Sequence, residues 1–431
     1  MRTGLRFLQF LTASPSTLFL AALAAMLLRH PDVPFYEIDR VAFGVLVLGL
    51  AARAVVLHHS LLIFERVTLP MLALTLLAVT SVLIHPFDNQ AWCLLAAKYI
   101  VPFSLFHLAQ LVFDNERSLR HLETFCLVVL AYLCFTSIAF LVGAKPLIFP
   151  RFILDESLGY HADRARGPLL QAVANGVSLN ILGVLALHAF LRGKIRGLRA
   201  TLLLGALPLA VLATMTRAVW LSSAGSVGVL IFHSGNRNLR RICAMVATAG
   251  IFAVLITLSF GDQRRAVGDR FEESGPVEFR QAVYTGGWQM FLEKPLTGWG
   301  VNQMPSELAR HVSGFRHREL YPHNTYLELL VEHGLIGLAL YLWILWEILL
   351  LGRTTVPPAE RHGFLDQQFH TLWPVILGIF VVNASLVVMN YQFVNGLLFT
   401  MAGMLAAQRR RSKQSVKRRA TPSALTLAPT S

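Results

Sequence analysis

The chain has 431 residues, of which 55% are hydrophobic and only 14% charged, with a mean hydropathy of +0.56. That composition excludes an ordinary water-soluble domain and points to an all-α polytopic membrane protein. The net charge of +14 would suit nucleic acid, but the basic residues are interleaved with apolar runs and build no DNA-reading module. Membrane orientation and an anionic substrate are the better readings, and no nucleic-acid partner is expected. Cys93, Cys126, Cys134 and Cys243 lie in or against apolar runs, which argues against a disulfide framework. No Cys/His spacing or Asp-x-Asp pair marks a metal site, and no cofactor is implied.

In chain order, Arg2 and Arg6 precede an apolar run from Leu18. A signal peptide is the rival reading, since Ala22-Leu23-Ala24 has a cleavage-site pattern, but its removal would invert the charge pattern that follows. Apolar spans fall near 14–28, 41–57, 68–85, 91–113, 121–143, 168–191, 199–215, 217–233, 241–260, 334–351, 368–388 and 391–407. They predict about twelve transmembrane helices. With the N-terminus in the cytoplasm, Arg66, Arg117, Arg120, the cluster Arg192/Lys194/Arg196/Arg199, Arg237/Arg240/Arg241, Arg353/Arg361 and the C-terminal basic run share one side. This satisfies the positive-inside rule and places both termini in the cytoplasm. The expected organisation is residues 1–260 as transmembrane helices 1–9 with an outer loop at 144–167, and 261–322 as a large outer loop domain. Residues 323–407 then form helices 10–12, and 408–431 a basic, disordered tail on the anionic inner leaflet. No internal repeat is evident.

Several basic residues depart from this pattern. Lys145, Arg151, Arg164 and Arg166 lie in the loop at 144–167, Arg217 in the tight turn at 214–218, and Arg264, Arg265, Arg270, Arg280, Lys294, Arg310, Arg316 and Arg318 in the loop at 261–322. Long loops are excused from the rule, yet cations on the outer face are what an anionic substrate there would need. Within the large loop, Val277 to Leu292 reads as an amphipathic helix with Arg280, Tyr284 and Trp288 on one face. Lys294-Pro295-Leu296-Thr297-Gly298-Trp299-Gly300 then ends it with turn chemistry.

The stretch from Tyr321 to Leu351 begins as a polar turn and ends as a membrane helix. Thr325 and Glu328 have capping-box spacing, so a helix is expected from Thr325. It would run roughly 40 Å, longer than a bilayer core of about 30 Å. Glu328, Glu332 and His333 should therefore stand above the core, with the span proper starting near Gly334. That puts His323 and Asn324 at a helix N-terminus, which favours anions. Imidazole, anion site and membrane together suggest chemistry on a lipid-linked phosphate.

His323 has the pKa range of a general base; the plainer reading is an interfacial histidine bonded to the helix start. Arg217 opens a membrane helix, where a cation opposes the dipole, so a bound anion or a snorkelling side chain would account for it. Arg280 with Tyr284 and Trp288 would hold a sugar or prenyl chain, or form a solvated charge above an apolar stripe. Arg166 and Asn175 sit where the outer loop re-enters the membrane, and a boundary anchor is the plainer explanation. Arg53 and Lys98 fall inside predicted spans, where charge is costly; snorkelling or burial against a partner would explain both.

His323-Asn324, nine residues, Gly334, two residues, Gly337 resembles the signature of the bacterial O-antigen ligase and polymerase superfamily. Thr216-Arg217-Ala218-Val219-Trp220-Leu221 resembles its second landmark, Arg280 to Trp288 with Glu293 to Gly300 its third, and Arg166-Gly167 with Asn175 a fourth. They occur in the superfamily's order across roughly residues 160–345. The chain is most similar to the O-antigen ligases, although Leu338 follows Gly337 where some ligases place Thr or Trp; a polymerase of the same superfamily is the nearest alternative, and an anionic-lipid transporter with the arginines as a binding track a more distant one. The resemblance implies a GT-C-like fold in the Gram-negative inner membrane with its site facing the periplasm. It also implies transfer of a glycan from undecaprenyl pyrophosphate to lipid A–core, without metal or cofactor. Membrane lipids are the remaining partners. His323, Arg217 and Arg280 are the implied catalytic residues. Arg166, Asn175, Trp220, Tyr284, Trp288 and Asn324 are the expected substrate contacts.

Overall fold

The computed structural model describes residues 15–29, 38–58, 63–159, 161–233, 235–259, 275–312, 320–357 and 360–420. Among them there is no strand. The helices are α1 (Pro15–Leu27), α2 (Ile38–Leu57), α3 (Thr68–Ile84), α4 (Asn89–Val112), α5 (Glu116–Leu141), α6 (Ala172–Leu191), α7 (Gly197–Ala213), α8 (Arg217–His233), α9 (Arg237–Ser259), α10 (Gly275–Glu293), α11 (Met304–His311), α12 (Thr325–Leu351), α13 (Gln367–Ala384) and α14 (Gln392–Ala420). Every apolar run read from the sequence is helical. Among the described residues, α4, α5, α6 and α12 are long and apolar enough to cross a membrane, and α1, α3 and α7 are shorter apolar helices.

α6 is hydrophobic all round, and its core position follows: from Ala174 to Ala189 every side chain is buried, against α5, α7 and α13. α14 lies along α4, where Gly403 lets the backbones close up; a Cβ there would meet the Phe106 carbonyl at 2.2 Å. Side-chain oxygens cap several helix starts: Asn115 accepts from Ser118 N at 3.0 Å, Asp366 from Phe369 N at 2.9 Å, and Asp88 from Gln90 N at 2.8 Å. A second, smaller core joins α10, α11 and the first turns of α12 through Phe279, Val283, Met304, Leu308, Leu327 and Val331. The helical part of the outer loop is thus packed onto the start of α12.

α12 is not one continuous helix. Gly334 has φ 63° and ψ −162° and breaks it. In an unbroken helix Leu335 N would donate to Val331 O and Ile336 N to Glu332 O. Instead the segment Pro295–Gly300 inserts between them. Leu335 N and Ile336 N donate to the carbonyls of Pro295 and Leu296 at 2.8 and 3.4 Å, and Val331 O and Glu332 O accept from Trp299 N and Gly300 N at 2.8 and 2.9 Å. Two helical bonds are exchanged for four across the junction, so each of the four helix groups freed by the break is bonded again. Such an irregularity is tolerated at membrane depth only when protein covers it. Both glycines are needed for the approach: a Cβ on Gly334 would lie 2.3 Å from the Leu296 backbone, and one on Gly298 2.4 Å from that of Glu332.

The expected position of the first turns of α12 is corrected by this insertion. Glu328, Glu332 and His333 are buried rather than standing in water. The inserted segment and α4 cover them, and Lys98 sits between the two carboxylates, with Nζ at 2.8 Å from Glu328 and 3.2 Å from Glu332. A buried partner, rather than snorkelling, accounts for Lys98. It lies in a π-helical turn of α4, Ala96–Ile100. Nor does the expected capping box form. Asn324 caps the helix, accepting from Tyr326 N at 2.9 Å and Leu327 N at 3.2 Å, while the Thr325 hydroxyl bonds Val387 O and Met389 N.

The C-terminal segment also departs from expectation. α14 continues as a helix to Ala420, where a disordered tail was expected from Gln408. Its first polar turn is tied down: Gln408 is buried against His370 and Leu365 O, and Arg411 pairs with Glu360 at 2.8 Å. Residues 421–431, and Arg264, Arg265, Arg270, Arg316 and Arg318, lie outside the described residues.

Candidate functional site

His323 is the last residue but one before α12 and has φ 45°, a left-handed conformation that residues other than glycine seldom adopt. The turn brings its ring against Phe279, with centroids 6.2 Å apart, and the Tyr284 hydroxyl donates to its carbonyl at 3.4 Å. Both partners come from α10, so the outer-loop helix positions the histidine. The imidazole is half-buried, and its pKa is pushed down to about 4, first by burial and then by the charges of Arg280 and His161. It is therefore neutral at pH 7.

α10 also supplies the adjoining wall. Arg280, Tyr284 and Trp288 fall on one helix face and, with Gln281, Thr285 and Leu386, line an open cavity of about 590 Å³. The cavity offers a guanidinium at one point and aromatic surface along its length, with Trp288 half-exposed. It suits a ligand with an anionic head and an apolar or sugar body.

Arg217 is the first residue of α8 and is exposed. α8 packs against α13, whose last turn precedes Leu386 of the cavity wall. Because α8 starts at the end where α13 finishes, Arg217, Arg280 and His323 share one face of the molecule.

Other expected substrate contacts turn out to be spent within the protein. Arg166 is buried, and its guanidinium donates to the carbonyls of Ile153 (3.0 Å), Leu158 and Asp155. These bonds tie the turns of the outer loop together. Asn175 is buried and donates to Ser137 Oγ at 3.0 Å and Ala165 O at 2.8 Å. Gly167, at φ 57°, leaves the space its side chain occupies; a Cβ there would lie 2.8 Å from Asn175 Oδ1. The Trp220 indole donates to Val211 O at 3.1 Å, and the Asn324 oxygen is used in the helix cap.

The sequence reading missed His161 as a neighbour of His323, since the two are far apart in the chain. It also missed the network of Lys98, Glu328 and Glu332, to which Asn302 N adds a bond to Glu332 Oε1 at 2.9 Å. The signal for that network was present: a lysine inside an apolar run and two glutamates one helical turn apart.

Residues 200–342, about a third of the chain, match the family model described as O-antigen ligase. Over that stretch the chain is similar to the O-antigen ligase and polymerase superfamily. No curated protein matches it. The matched region holds Arg217, Arg280 and His323, together with the inserted segment and the break at Gly334. Arg166, Asn175 and Lys98 lie outside it. Members of that family are glycosyltransferase-like enzymes acting on lipid-linked glycans in general, and the match supports an enzymatic role of that coarse kind. Within the matched region Gly298 and Gly334 permit a backbone crossing, while Arg280 lines the cavity and His323 lies against the same helix.

Proposed function

We propose that the protein is an O-antigen ligase of the Gram-negative inner membrane, with about twelve spans in a GT-C-like arrangement and its site facing the periplasm. It transfers a glycan from undecaprenyl pyrophosphate to a sugar hydroxyl of lipid A–core. The observation that carries the reading is a half-buried His323 held by Phe279 and Tyr284 of the same helix whose Arg280, Tyr284 and Trp288 line an open cavity.

The acceptor hydroxyl gives its proton to His323 as its oxygen bonds to the anomeric carbon. The bond from that carbon to the phosphate oxygen breaks, the carbon is inverted, and undecaprenyl pyrophosphate leaves. Arg280 and Arg217 take the charge that develops on the leaving phosphate through forked, charge-assisted bonds. Tyr284 and Trp288 hold the glycan or prenyl chain. A pKa of about 4 makes His323 a weak base in the empty site. An anionic pyrophosphate bound to Arg280 offsets one of the charges that depress it, so donor binding raises the basicity of His323 as it delivers the electrophile.

The test is transfer in vitro with purified protein, undecaprenyl-pyrophosphate glycan and lipid A–core. The expected result is glycan on lipid A–core, with His323→Ala slower by about 100-fold or more. Near-normal transfer by His323→Ala would remove the base assignment. Elongated lipid-linked glycan as the product would move the reading to the polymerases of the same superfamily.

A further inference from the structure

A second cavity, of about 860 Å³, lies at the opposite end of α12 from His323. Its walls come from the start of α5, the end of α6 and the segment leading into α13. We propose that it binds the phosphate-bearing headgroup of an anionic membrane lipid.

Four cations line it: Arg120, Arg192, Lys194 and Arg361. The two carboxylates on its wall are turned to internal tasks. Glu116 Oε1 accepts from Phe364 N at 2.9 Å, and Asp366 Oδ1 is held by His188 Nε2 and Phe369 N, both at 2.9 Å. Arg192 is fixed, paired with Glu123 at 2.9 Å and lying over the Phe364 ring at 5.7 Å. Lys194 and Arg361 are exposed and form no ion pair among the described residues. The cavity therefore presents a surplus of positive donors, one of them preorganised.

Its height in the membrane selects among anions. α5 and α6 are both long and apolar enough to span. The cavity sits where α5 begins and α6 ends, which is the boundary of the apolar layer and the level of lipid phosphates. Basic pockets between transmembrane helices take such headgroups, arginine forks match phosphate oxygens, and the volume is that of an ordinary ligand site. The superfamily's chemistry belongs to the other end of the molecule, so this site is regulatory or stabilising.

The test is binding to the full-length protein in neutral detergent, read by native mass spectrometry and by the thermal unfolding midpoint. The probes are phosphatidylglycerol, phosphatidylcholine and inorganic pyrophosphate. Phosphatidylglycerol should form a discrete adduct and raise the midpoint, and Lys194→Gln/Arg361→Gln should weaken it by at least about tenfold. Both side chains are exposed, so the variant's midpoint without lipid should equal the parent's. A photo-crosslinker at Gln367→Cys, on the same cavity wall, should capture phosphatidylglycerol. Equal adducts with phosphatidylcholine, an unweakened double variant, or no capture from Gln367 would overturn the proposal. Pyrophosphate binding as tightly as the lipid would overturn the lipid assignment in favour of a soluble anion.

Discussion

His323 stands where burial, Arg280 and His161 all disfavour its cationic form. If donor binding offsets Arg280, the histidine should titrate at higher pH in the loaded enzyme than in the free one. We expect the acid limb of kcat to lie above that of kcat/KM in a pH–rate profile; coincident limbs would show that the donor does not tune the base. Replacing His161 with Gln removes one of the depressing charges and should shift the acid limb of kcat/KM upward. The sign for stability follows the same pKa. An unfolded histidine titrates near 6.5, above the folded value of about 4. The neutral form's contribution is thus full above about pH 6.5 and is lost as pH falls toward 4. At this scale the sequence was legible where an element's pattern sets the position, as for His323 just before a helix start and Arg280 on one helix face with Tyr284 and Trp288. It was not legible for Arg166, because nothing in Arg-Gly-Pro reveals that three loop carbonyls will converge on the guanidinium.

Among the elements, α12 departs most from its sequence reading. Periodicity found the helix and its length, and a bilayer argument placed the span near Gly334. Glycine in an apolar run does not announce that another backbone will enter there. The break requires a conformation open essentially to glycine alone, with no space for a Cβ. Gly334→Ala should therefore cost about 3 kcal/mol or more of stability. Gly205→Ala in α7, where nothing lies within 4 Å of the added carbon, should be neutral or stabilising by up to about 1 kcal/mol. Thermal unfolding in detergent would compare the two, and equal midpoints would contradict the packing argument. The Lys98 network belongs to the same junction, since Glu332 joins α4, α12 and Asn302 of the inserted loop. Lys98→Met leaves two buried carboxylates without their cation and should destabilise by about 3–5 kcal/mol. Glu328→Gln added to it should recover part of that loss, which an independent-site model does not predict.

For the whole molecule, the direction of successive helices puts His323, Arg280 and Arg217 at one end and Lys194, Arg361 and the start of α5 at the other. If the His323 end faces the periplasm, as proposed, a thiol at Thr285→Cys should react with a membrane-impermeant maleimide in intact spheroplasts, and one at Lys194→Cys only after permeabilisation. The background would be Cys93→Ser, the other three native cysteines being buried. The reverse pattern would invert the orientation. Hydropathy made the apolar helices legible because burial in lipid and burial in protein ask for the same residues. For that same reason it could not tell α6, enclosed by its neighbours, from a lipid-facing span. The junction at Gly334 carries a practical lesson for anyone exchanging parts between superfamily members. A graft that moves the outer-loop helices to alter glycan choice, with seams placed at the ends of the loop, would separate Pro295–Gly300 from the two turns it interrupts. The cassette that can be transplanted intact therefore runs through Ile336, well inside what hydropathy marks as a membrane helix.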